Sequence, residues 1–128
     1  MLVMEPAEWR FNEKPYDLRE RLFNFACVIT RLAMFLHTRG PTAVALCAQL
    51  LKSGTSASAN YEEADDGSSP RDTLAKRQIV LRELKETSFR LRILRQTEIL
   101  MPGHDPVINE CAELVKIVAA LIRKSRGG

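Results

Sequence analysis

The chain has 128 residues, of which 45% are hydrophobic and 27% charged, and a formal net charge of +3. That length fits one domain with a single core, and no run approaches the roughly 18 uninterrupted apolar residues that read as a membrane span. Cys27, Cys47 and Cys111 are an odd, widely spaced set; they exclude a disulfide framework and point to a cytoplasmic protein that uses cysteine as a small core residue.

Residues 1–16 read as an irregular N-terminal lead. Met1-Leu2-Val3-Met4 runs at once into Glu5 and Pro6, without the basic start and apolar stretch of a signal peptide. Pro6 and Pro15 argue against a long helix here, and Trp9 and Phe11 are expected to pack back on the body. Residues 17–126 read as four helices. Asp17 and Glu20 have capping-box spacing. Leu18, Leu22, Phe25, Ile29, Leu32 and Leu36 then form one seam, and Phe23, Cys27, Thr30 and Met34 a second. Arg39-Gly40-Pro41 ends this helix and starts the next.

The second helix is expected from about Pro41 to about Ala64. Its middle is rich in Gly, Ser and Thr, yet Ala43, Cys47, Leu50, Gly54, Ala57, Tyr61 and Ala64 recur at alternating steps of four and three, as a buried helical stripe does. Gly54, Ala57 and Ser58 would let a neighbouring backbone come close. Asn60, at the edge of that stripe with Ser53, is expected to make a buried hydrogen bond that fixes helix register. Tyr61 is expected in the core with its hydroxyl at a rim. Glu62, Glu63, Asp65 and Asp66 oppose the helix dipole, a cost that an arginine from another helix or subunit would relieve.

In the third helix, Ser69 is the expected cap, with Pro70 and Asp72 in the first turn. It should run to about Leu100, with Val80, Leu81, Leu84, Leu91 and Leu94 as its main face and Ile79, Phe89 and Ile93 on the opposite side. Asp105 is expected to cap the fourth helix and Pro106 to start it. Ile108, Cys111, Leu114, Val115, Val118, Leu121 and Ile122 form its apolar face, and Lys116 falls on its polar face. No strand signal occurs, and four helices with short connections pack most simply as an antiparallel up-down bundle. The first and third helices each keep a spare apolar stripe. Phe23, Cys27, Met34, Ile79, Phe89 and Ile93 are therefore expected at a homo-oligomer interface.

Catalytic chemistry has little support. His37 and His104 have no partner nearby in sequence, and three Cys and two His lack zinc-site spacing. The acidic cluster lacks the order of a calcium loop. No enzyme, metal or cofactor is expected. Charge is uneven, however: residues 71–100 hold eight cations against four carboxylates, a net of +4. Arg77, Arg82, Lys85, Arg92 and Arg95 are the candidate nucleic-acid contacts, set against the plainer reading of a solvated helix face. They do not share one narrow stripe, so a single chain offers a diffuse patch. A symmetric ring would repeat it into a collective field.

The segment Gln49–Ala64, with Ser53, Gly54, Ser56, Asn60, Glu62 and Glu63, resembles the signature of the 23S rRNA intervening-sequence proteins, also described as four helix bundle or S23 ribosomal proteins. Leu84–Leu94 is similar to that family's third helix, and the likeness covers roughly residues 18–122. It implies an up-down bundle assembled as a ring-like homopentamer. The accessory protein of diversity-generating retroelements shares that architecture, binds nucleic acid through a basic surface and partners a reverse transcriptase. Two functions follow as expectations: an oligomeric bundle that binds rRNA or other RNA or DNA, or a protein–protein adaptor serving a nucleic-acid enzyme such as a reverse transcriptase. The chain departs from the family pattern in its longer lead, with Trp9 and Phe11.

Overall fold

The computed structural model describes residues 17–67 and 69–127; the lead, and with it the packing expected of Trp9 and Phe11, lies outside them. Among the described residues there are four α-helices and no strand: α1 (Leu18–Leu36), α2 (Pro41–Asp65), α3 (Pro70–Gln96) and α4 (Asp105–Arg126), with a 3-10 turn at Pro102–His104 before α4. Asp17 caps α1, its carboxylate accepting from the Arg19 N–H at 3.0 Å. Ser69 caps α3, accepting from the Asp72 N–H at 3.2 Å with Pro70 next. Gly40, at φ +105°, makes the left-handed turn between α1 and α2 that a side chain would resist.

Two boundaries differ from the sequence reading. Helix α3 stops at Gln96 rather than near Leu100. Glu98 turns into the left-handed region at φ 65°, and the Leu100 N–H reaches back to the Leu94 carbonyl at 2.9 Å. Leu100 thus enters the core from beyond the helix end, so its apolar character mimicked another helical turn. Asp105 is not the cap of α4 but its first residue. The 3-10 turn feeds directly into the helix, and Asp105 instead accepts from Arg95 Nε at 2.9 Å.

His104 is the unexpected core residue of this turn. It is fully buried, its ring 4.9 Å from that of Phe35, and its Nδ1 accepts from the Met101 N–H at 3.0 Å. Burial pushes its pKa below the usual histidine value, and an Nδ1 that accepts a hydrogen bond also favours the neutral ring. A depressed pKa means that the unfolded chain takes up the proton first as pH falls. The stability this group contributes is whole above the unfolded value of about 6.5 and declines below it. Urea unfolding should show stability level from pH 8 to 7 and falling by pH 5.5, and His104→Gln should lose that part of the slope. Identical slopes in the two proteins would contradict this assignment.

Consecutive helices run antiparallel, as their end contacts show. Arg19 at the start of α1 meets Asp65 and Asp66 at the end of α2, at 3.2 and 2.7 Å, and approaches Glu62 at 3.5 Å. Lys76 of α3 pairs with Glu63 at 3.3 Å. Those two cations relieve the acidic end of α2 against its dipole, the role expected of an arginine from another helix.

Close approach of α1 and α2 centres on Gly54. A Cβ placed there would lie 2.8 Å from Ile29 Cγ2, so the gap is filled by a side chain rather than by a neighbouring backbone. Between α2 and α3, the buried hydroxyls of Ser53 and Thr87 lie 2.8 Å apart, and each also reaches a carbonyl of its own helix. This pair, rather than Asn60, makes the buried side-chain hydrogen bond between α2 and α3. Asn60 is half-buried and donates to the Ser56 carbonyl at 2.9 Å, because its long amide satisfies itself on the preceding turn. Cys47 and Cys111 are buried as expected of core residues, and burial pushes the Cys111 thiol up to about 12. Helix α4 packs on α3 and along a shorter strip on α1. There Glu110, almost fully buried, accepts from Arg21 Nε and Nη2 at 2.9 and 2.8 Å, while Arg21 also meets Glu113 at 2.8 Å.

Candidate interaction surfaces

Helix α1 has more apolar residues than one core face can take. Leu22, Phe25, Ile29, Leu32 and Leu36 are buried, so the Phe23, Cys27, Thr30 and Met34 stripe is turned outward. Phe23 and Met34 are 54% and 52% exposed, and Cys27 is half-buried. Beside this stripe the small residues of α2 leave space. Phe23, Ala26, Cys27 and Thr30 of α1 and Thr55, Ser58 and Ala59 of α2 line a groove of about 310 Å³, in which Glu62 is the one charged lining residue.

Helix α3 presents a different surface. Its buried face is Val80, Leu84, Thr87, Leu91 and Leu94. Directly opposite, Phe89 is 54% exposed, whereas Ile79 and Ile93, expected to project with it, lie half-buried on its flanks. Phe89 stands between two shallow hollows. One, of about 440 Å³, is walled by Gln78, Leu81, Arg82, Lys85 and Glu86. The other, of about 370 Å³, is walled by Ser88 and Arg92 and, from α4, by Ala112, Val115 and Lys116. The Arg92 guanidinium carbon is 6.0 Å from the Phe89 ring centroid, within cation–π range.

The five candidate cations therefore separate. Arg82, Lys85 and Arg92 gather around Phe89, joined by Lys116, which the sequence marked only as a polar-face residue. Among the described residues Lys85, Arg92 and Lys116 make no ion pair, and Arg82 meets Glu83 only at 3.7 Å. Arg95 is held by Asp105. Arg77 is half-buried toward the other end of the bundle, next to Tyr61, and faces Arg71 and Ser125 across a separate groove. Burial pushes the Tyr61 phenol above its usual pKa, with Arg77 opposing that shift.

The signature residues of α2 serve the fold. Ser53 and Gly54 make the two close contacts described above, and Ser56 and Asn60 bond to carbonyls of their own helix. Glu62 and Glu63 face Arg19 and Lys76. Among the described residues no group of three or more His, Cys, Asp or Glu could hold a metal ion, and no helix is long and apolar enough to cross a membrane.

No protein-family model and no curated protein matches the sequence. Among solved structures, the crystal structure of a protein with unknown function from the S23 ribosomal protein family of Bacteroides thetaiotaomicron is similar over 84% of this chain and 99% of its own, at 29% identity and a TM-score of 0.76.

Proposed function

From the likeness to a solved S23 ribosomal protein family structure, which extends over 99% of that chain, we propose a non-enzymatic role: the chain assembles with itself into a ring-like homopentamer and binds rRNA or another nucleic acid through repeated basic surface. The observation that carries this reading is the pair of exposed apolar faces. Helices α1 and α3 each pack on α2 and α4 and so stand at opposite corners, with Phe23 and Met34 on one outward side and Phe89 on the other. Two different faces on one protomer support head-to-tail contact, which makes a ring where the rotation between copies closes.

Each copy would add cations from the Phe89 surface, Arg82 and Lys85 foremost. Their long stems cover apolar surface while the charged ends reach solvent, and five-fold repetition turns a weak patch into a strong field. Phosphate contacts of this kind are sequence-tolerant and steeply salt-dependent.

A filter-binding titration with structured rRNA fragments over a salt range tests this. Binding at micromolar protein should weaken steeply with salt, and replacing Arg82 and Lys85 together by Glu should weaken it at least about tenfold. An assembled protein that shows no salt-dependent binding would remove the nucleic-acid role and leave the adaptor role for an enzyme such as a reverse transcriptase.

A further inference from the structure

Resting on the self-assembly proposed above, the two faces also identify the two halves of its seam. We infer that the Phe89 ridge of one copy seats in the groove between α1 and α2 of the next copy. The groove has what a phenyl ring needs. Ala26, Cys27, Ser58 and Ala59 give it short walls, and its volume of about 310 Å³ admits an aromatic side chain. Fit is reciprocal. Phe23 and Met34 stand up beside the groove and meet the hollows flanking Phe89, where Leu81 lies on one side and Ala112 and Val115 on the other.

Charge favours this pairing over its alternatives. The groove's one charged lining residue is Glu62, with Asp65 and Asp66 beyond it at the end of α2. Glu62 keeps 37% of its side chain exposed even beside Arg19. The ridge is rimmed by Arg82, Lys85 and Arg92, and Arg92 travels with the Phe89 ring. Seating the ring therefore brings Arg92 toward Glu62. Two ridges face to face would instead oppose like cations, an arrangement that costs affinity. Two grooves face to face would bring Glu62 toward Glu62 and leave Phe89 in water. A head-to-tail seam covers both apolar faces with one contact, and Arg82 and Lys85 stay at its margin for phosphate.

Two full-length variants separate these arrangements. Ala59→Trp fills the groove, and Phe89→Asp removes the ridge; both residues are exposed, and a parent-like helical circular dichroism spectrum with a cooperative melt confirms folding. Each variant alone should be monomeric by light scattering. Mixed in equal amounts they should form a one-to-one pair and nothing larger, because only one intact groove meets one intact ridge. An assembly that survives either substitution alone, or a mixture that stays monomeric, overturns the pairing while the parent chain still assembles. A monomeric parent chain removes the self-assembly reading itself.

Discussion

Gly54→Leu is expected to destabilise the bundle by about 3 kcal/mol or more, enough to threaten a fold of ordinary stability. Even a methyl group at this position would lie 2.8 Å from Ile29 Cγ2, 3.1 Å from Cγ1 and 3.2 Å from Cβ. Ile29 is fully buried within the main core cluster, where close packing resists its displacement. The strain must be relieved by moving α1 away from α2, which loosens Phe25, Leu32 and Leu50 as well. Gly54→Ala is the gentler probe. It regains about 1 kcal/mol of helix propensity, against an overpacking cost of typically 1–3 kcal/mol. Combining it with Ile29→Ala removes the two nearest carbons, Cγ2 and Cγ1. The double variant should be less destabilised than the sum of the singles by more than about 0.5 kcal/mol, the usual limit of additivity. Simple additivity in urea unfolding would mean that Gly54 is not where the two helices meet.

Arg21→Ala is expected to cost about 3–5 kcal/mol. The Arg21 and Glu110 side chains are 11% and 1% exposed and meet through two parallel hydrogen bonds. That geometry holds Arg21 charged: its pKa is raised, first by the Glu110 hydrogen bond and against desolvation. Removing the guanidinium takes two hydrogen bonds and a counter-charge from a carboxylate that is only 1% exposed. The pair also ties α1 to α4, which share a shorter strip than the other neighbouring helices. Replacing both partners, Arg21→Met with Glu110→Leu, should recover most of the loss, because a buried ion pair is costly to break and often cheap to exchange for apolar packing. If Arg21→Ala melts like the parent chain, the pair is not a structural tie.

What the sequence reveals is mainly local. Asp17 and Ser69 are legible as caps because their partners lie two and three residues away. The buried stripes of α1, α2 and α3 are legible from their spacing. Contacts between distant residues are not. Arg21 and Glu110 are 89 positions apart, and Ser53 and Thr87 are 34 apart; nothing in either neighbourhood announces the other. His104 looked like an ordinary loop histidine because its burial comes from Phe35, on another helix. Asn60 and Ser53 are both polar residues at the edge of one stripe, and only the distance to Thr87 distinguishes them.

The candidate surfaces divide in the same way. Phe23, Met34 and Phe89 were readable as apolar residues left over after each core face was counted. The groove was not readable, because it is a gap between two helices rather than a property of either. Nor could the sequence sort its five cations. The Asp105 that takes Arg95 and the Tyr61 beside Arg77 lie in other helices, while Lys116 arrives next to Phe89 only through the packing of α4 on α3.

The mass of the full-length chain in solution, measured by light scattering across a wide concentration range, tests head-to-tail self-assembly most directly. Five copies of the 14.5 kDa chain in one closed species, with no smaller or open-ended forms at high concentration, is the result expected. A monomer that persists at hundreds of micromolar, or a dimer that goes no further, would contradict it.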